Sequence, residues 1–192
     1  MQEVAVHRFA IAAFAVAISS STAFGHASAT DATDHVSPGA ARALNDPTIV
    51  AIFDAANTAD IETGTLAAEH GASKEVRDFG AMLVRDHKAV RQQGRDLAKK
   101  LGVTPTPPAN DQSAKDHAAV MKQLRGLHGA EFDHAFLQHE VAFHKAVIDA
   151  VTSTLLPAIQ NAELKDLVVK VAPAFQAHMM AADNLDKKLE AK

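Results

Sequence analysis

The sequence predicts an all-α fold of four long helices arranged as two hairpins, and three observations carry that expectation. Apolar residues return every three or four positions over four long stretches, the spacing of one helix face. Capping residues, glycines and prolines punctuate those stretches at their ends. No segment alternates apolar and polar residues as a half-buried strand would.

In chain order, residues 1–29 read as a secretory leader. Arg8 precedes the apolar run Phe9 to Ile18, and small residues follow, with cleavage sites after Gly25 or Ala29. That run falls short of the roughly 20 apolar residues a spanning helix needs. No later segment qualifies, so the expectation is an exported protein, periplasmic or envelope-associated, with no transmembrane domain once the leader is removed. Residues 30–45, polar and small with Pro38 and Gly39, read as a flexible linker. Residues 46–192 are then the domain.

Asp46-Pro47 opens the first helix, with the acid as the expected cap and proline in the first turn. Its seam is read through Ile49, Ile52, Ala56, Ala59, Thr63 and Leu66, and Gly71 ends it. Ser73 caps the second helix, whose seam runs Val76, Gly80, Leu83, His87, Val90, Gly94, Leu97, Leu101 until Gly102 and the proline-rich 104–108. A long crossover follows, carrying a short helix from about Asp111 to Leu127, with Gly126, His128 and Gly129 as breakers. The third long helix is expected from Phe132-Asp133 to Leu156-Pro157, along Leu137, Val141, His144, Ile148, Val151 and Leu155. Asn161 caps the fourth, along Leu164, Leu167, Val171, Phe175, His178, Ala182, Leu185 and Leu189, with Pro173 expected to kink it. Two hairpins joined by a long crossover make a ferritin-like four-helix bundle.

Composition narrows the function. The 192 residues are 47% apolar, enough for a core. With no cysteine there are no disulfides, thiolate ligands or cysteine nucleophiles. Without tyrosine or tryptophan, and at a net charge of −4, nothing suggests a nucleic-acid partner. No serine sits in a nucleophile elbow and no glycine-rich loop follows a strand, so no catalytic residue is assigned. The 11 histidines are the unusual number.

Their phase matters more than their count. Seam positions of a bundle should be apolar, because burying an unpaired ionisable group costs several kcal/mol. Yet Glu62, His87, Glu140, His144 and His178 all fall on or beside seams. At 1.5 Å of rise per residue, Glu62, His87, Glu140 and His144 lie roughly 14–21 Å from the end of the bundle that carries the first hairpin loop. His178, 17 residues beyond the second loop, reaches a similar level, so the five can meet. Two readings follow. These residues form a structural polar network in a non-catalytic stress or interaction protein, or they are ligands for Fe, Mn or Zn. Glu-x-x-His, the di-iron signature, is missing, since Val84 and Phe175 stand three residues before His87 and His178. Asp86 reads as a partner orienting a histidine, His139 as outward-facing, and His70, His117, His128 and His134 as solvated. Whether copies of the chain associate is left open.

Glu62-x-x-x-Leu66-Ala-Ala, Ser73-x-Glu-Val76-x-x-Phe79 and Val84-Arg-Asp-His87 resemble the bacterial domain of unknown function 4142 family. So do Phe132-Asp133-x-x-Phe136-Leu137, His144, Pro173 and His178-x-x-Ala181. The resemblance implies a signal peptide and a ferritin-like bundle, with no established activity or metal. Its loose label of outer-membrane protein finds no support in a sequence without barrel strands. The family pattern falls on Glu62, Asp86, His87, Asp133, His144 and His178. The chain departs from it at His139-Glu140 and at Gly94, which is expected to loosen the packing of the second helix.

Overall fold

The computed structural model describes residues 44–191; the leader and nearly all of the linker lie outside them. The elements are α1 (Asp46–His70), α2 (Lys74–Leu101), α3 (Ser113–Arg125), α4 (Gly129–Ala150), a π-helical turn (Val151–Leu155), α5 (Leu156–Ala158) and α6 (Ala162–Glu190). No strand occurs among the described residues.

The helix ends follow local chemistry, with two corrections. Ser73 and Asn161 accept the N–H groups of Val76 and Leu164, as expected of N-caps, and Gly102 closes α2 at φ 66°. The cap of α1 is Asn45, whose side chain accepts from Thr48 N–H, and not Asp46. Released from capping, the Asp46 carboxylate accepts the N–H groups of Gln160 and Asn161 at 2.9 Å each, clamping the start of α6 beside the start of α1. At the opposite end Asp133, near the start of α4, accepts from Ala72 and Ser73 N–H at 2.8 Å each and fastens the α1–α2 turn. Gly129, read as a breaker, instead begins α4, one turn earlier than expected, and its φ of 62° explains the glycine there. α6 runs unbroken through Pro173.

Those two carboxylates fix the topology. The start of α4 meets the α1–α2 turn, and the start of α6 meets the start of α1. So α1 and α6 run one way, α2 and α4 the other, and α3 carries the chain back along the bundle: ferritin-like connectivity. α1 packs on α2 and α4, α6 on α2 and α4, and α3 lies over α1 and α4.

α1 and α2 touch backbone to backbone where Gly64 faces Gly80; a Cβ on Gly80 would stand 2.6 Å from Gly64 O. Gly94 does not leave loose packing. The Phe53 ring occupies its place, 2.8 Å from where a Cβ would be.

The core is in two parts. One apolar cluster gathers Ile49, Phe53, Leu155, Val168, Val171 and Phe175, and the other Leu66, Val76, Leu83, Phe132, Phe136 and Ala182. Between them, on every long helix, comes a buried polar residue: Asn57 and Asp60 on α1, His87 on α2, Glu140 and His144 on α4, His178 on α6. A polar layer thus divides the core.

Candidate metal centre

Each residue of that layer arrives by helical register. On α1 the buried positions Phe53, Asn57, Asp60, Gly64 and Ala67 step by four and three, so Asp60 faces the interior. Glu140 and His144, four apart, share a face of α4. Both are fully buried. Val76, Leu83 and His87 lie on the buried face of α2, and Val171, Phe175, His178 and Ala182 on that of α6.

Of the five expected ligands, four converge and one does not. The rings of His87, His144 and His178 form a triangle with centroids 5.1–5.6 Å apart. Phe175 stacks on His87 at 5.5 Å, at the position where a di-iron motif would place a carboxylate. Glu140 joins them, but Glu62 points away: it is 53% exposed and pairs with His117 of α3 at 2.7 Å. Asp60, two residues earlier and only 3% exposed, stands in its place. Asp60 and Glu62 are about 200° apart around the helix, so only one of them can face inward.

Hydrogen bonds settle which ring nitrogen each histidine presents. Asn57 donates its amide to Phe53 O at 2.8 Å, which turns its Oδ1 toward His87. His87 Nδ1 therefore donates to Asn57 Oδ1 at 2.9 Å, leaving Nε2 as the lone-pair atom. His144 Nδ1 donates to the Glu140 carbonyl at 2.9 Å, so Nε2 is the atom it turns to the interior. His178 Nε2 donates to Asp86 Oδ2 at 3.3 Å, freeing Nδ1. Asp86 has the orienting role expected of it.

The free atoms are all buried and all lack hydrogen-bond partners: His87 Nε2, His144 Nε2, His178 Nδ1, Asp60 Oδ1 and both oxygens of Glu140. They fall into two sets that share His144. In His87–His144–His178 and in Asp60–Glu140–His144, one ligand atom from each residue lies within 4.8 Å of those of the other two. His144 Nε2 stands 3.9 Å from Asp60 Oδ1, and its Nδ1 3.4 Å from Glu140 Oε2.

The electrostatics follow from burial and these neighbours. Burial, reinforced by His144 and His178, pushes the pKa of His87 down to about 3. Burial and His144 likewise lower that of His178. Burial pulls on His144 too, but Asp60 and Glu140 outweigh it and raise its pKa to about 9. Burial drives Asp60 well above the usual carboxylate range. Glu140 feels the same burial, yet His144, His139 and Thr63 hold it low. At neutral pH two imidazoles are thus neutral donors, and the third is protonated opposite the Glu140 carboxylate.

Two histidines read as solvated are not. His117 is 19% exposed and bonded to Glu62, and His134 bonds Asp186 at 2.6 Å. His139, read as outward-facing, is half-buried against Phe143, with ring centroids 5.7 Å apart.

Residues 30–185 match the family described as Domain of unknown function (DUF4142). The chain belongs to that family. No curated protein and no solved structure matches the sequence. In this DUF4142 protein the residues of the family resemblance divide by what they touch. His87, His144 and His178 line the interior, Asp86 orients His178, and Asp133 ties the turn. Glu62 belongs to the surface contact with α3. Among the described residues, no helix is long and apolar enough to cross a membrane.

Proposed function

We propose that this bundle binds a divalent transition ion, Fe, Mn or Zn, through His87 Nε2, His144 Nε2 and His178 Nδ1, with Asp60 and Glu140 beside them. One observation carries the reading. Six buried side-chain atoms on five residues have no protein partner at good hydrogen-bond geometry, while the other nitrogen of each imidazole is bonded to an oxygen. That is the arrangement of metal-ligating histidines, whose outer partners fix the tautomer. A structural polar network would need closer pairing than the 3.4–3.9 Å contacts His144 makes to Glu140 and Asp60, or bridging water, because each buried unsatisfied group costs roughly 1–3 kcal/mol. Imidazole and carboxylate without thiolate suit Fe, Mn and Zn.

The test is metal analysis of tag-free protein after incubation with each ion and removal of excess. About one equivalent of at least one ion is expected, and it should disappear in a His87→Ala, His178→Ala variant. Less than a tenth of an equivalent of every ion would overturn the proposal.

The same protein is proposed to act outside the cytoplasm. Arg8 and the apolar run to Ile18 support this, as does a family match that begins at residue 30, next to the stretch read as leader. Mass spectrometry of protein expressed from the full sequence should find a new N-terminus after Gly25 or Ala29. An intact Met1 on cytoplasmic protein would refute export.

A further inference from the structure

A groove of about 560 Å³ runs beneath α3, where the crossover lies over α1 and α4. Its walls include Glu62 of α1, Asp111 beside α3, Asp116 and His117 of α3, and His139 and Phe143 of α4. Asp60, Glu140 and His144 are the immediate chain neighbours of three groove residues: Ala59, His139 and Phe143. The groove therefore lies along the carboxylate half of the buried layer. His139 lines the groove together with His117 and immediately precedes Glu140 on α4, which puts it between the two regions. Exposure falls along this line, from 53% at Glu62 to 19% at His117 to none at Glu140.

We infer that this groove is the loading port of the buried site, where a divalent transition ion is first held by Glu62 and His117 and then passed by His139 to Glu140. The inference rests on the metal-binding reading above. The residue types suit a port, since carboxylate and imidazole bind such an ion at a partly exposed position, and none of them is needed in the final ligand set. Ions are attracted to the port by Glu62, Asp111 and Asp116. Arg125, the one Lys or Arg among the lining residues, sits on the last turn of α3, about 12 Å along the helix from His117 at 1.5 Å per residue. The other polar link from the layer to the surface is unsuited. There Asp86 is already bonded to His178, and Arg85 Nε lies 2.9 Å from its second oxygen, so a cation guards that side.

The experiment mixes ion-free protein with Co²⁺ in a stopped-flow instrument and follows the visible absorption of the bound ion. A Glu62→Gln, His117→Gln variant should load at least tenfold more slowly, with the same final absorbance and the same equilibrium affinity. His139→Gln should slow loading in the same way. Asp166→Asn, which removes an exposed acid on α6, should load at the wild-type rate. Thermal melts of the variants check that each is folded. Loading of the double variant at the wild-type rate, or equal slowing by Asp166→Asn, would overturn the port. Wild-type protein that gains no absorbance overturns the metal-binding reading itself, which the rates of a loading protein do not touch.

Discussion

Replacing His178 by leucine separates a metal site from a structural polar layer, because the two predict opposite signs. Burial lowers the pKa of His178, so at pH 7.5 the imidazole is neutral and the exchange changes no charge. Its Nδ1 is buried without a partner, and keeping such an atom from water costs roughly 1–3 kcal/mol. Leucine has no polar atom and similar bulk. The one bond lost is the 3.3 Å contact to Asp86, whose carboxylate is 33% exposed and keeps Arg85, so water replaces the imidazole cheaply. The ion-free variant should therefore gain about 1–2 kcal/mol, a rise in Tm of roughly 2–8 °C for a domain of this size. Wild-type protein in an ion at a thousand times its Kd should gain about 4 kcal/mol, or roughly 8–16 °C. The variant, with one of three imidazoles gone, should lose most of that gain. Calorimetry of chelator-treated and Zn²⁺-, Mn²⁺- or Fe²⁺-loaded samples measures both quantities. A variant less stable than wild type without metal, beside a wild type whose Tm ignores all three ions, would refute the reasoning and leave a structural network.

Further outcomes follow from the same geometry. His144, raised to about 9 by Asp60 and Glu140 despite its burial, is protonated at pH 7, so ion binding at its Nε2 must displace that proton. Titration calorimetry at pH 7 in buffers of different ionisation enthalpy should show at least one proton released per ion; none released would contradict the ligand assignment. In the ion-free protein the stabilisation from protonated His144 is fully present below its unfolded pKa near 6.5 and is lost as pH rises through about 9. Chelator-treated protein should thus lose stability above neutral pH, and a stability curve that rises from pH 7 to 9 would contradict this. Gly80→Ala puts a Cβ 2.6 Å from Gly64 O and should cost about 1–3 kcal/mol in urea unfolding; an unchanged midpoint would show that α1 and α2 separate freely there. Asp133→Ala strips two charge-assisted acceptors from the α1–α2 turn and should cost about 2–4 kcal/mol. A loss below 0.5 kcal/mol, read by the same unfolding curve, would mean that water serves those N–H groups (an exposed substitution typically costs about that little).

How much of this is legible in the sequence depends on how many faces each helix buries. α2 and α6 bury one stripe, and phase alone places their histidines correctly. α1 buries two: Phe53, Asp60 and Ala67 face the bundle interior, while Ala59 and Leu66 are also buried, with Ala59 lining the groove under α3. Both sets step by three and four, and the seam through Ile52, Ala59 and Leu66 brings Glu62 into the site in place of Asp60. Asn57 is the signal that could find Asp60, since Asn57, Asp60 and Gly64 continue the phase of Phe53 with polar and small residues. The ferritin-like topology is legible in the long crossover between two hairpins, but not in the depth of the polar residues. Depth along the bundle tolerates either connectivity, and the deciding contacts are made by Asp46 and Asp133 at opposite ends, where a carboxylate meets backbone N–H groups distant in sequence. His139 reads as outward-facing because the crossover helix covers a face that a plain four-helix bundle leaves to solvent.

If the layer binds an ion as proposed, charge balance favours a divalent cation over an anion or a monovalent cation. The layer holds two carboxyl groups, Asp60 and Glu140, and three imidazoles between two apolar clusters. Without an ion it approaches neutrality through protons: burial favours the acid form of Asp60, and His144 carries a charge opposite Glu140. A divalent cation, with both carboxylates ionised and all three imidazoles neutral, gives the same zero net charge while supplying an electrophile to atoms that now have none. An anion would meet two acids, and a monovalent ion would leave one charge uncompensated at a depth where that is costly. On the proposed reading both the ion-free and the ion-bound site would be electroneutral, and binding would exchange protons for a metal. Neutralisation by protons, with Asp60 favoured as the acid and His144 charged opposite Glu140, is what lets the bundle hold an ionisable layer through its core.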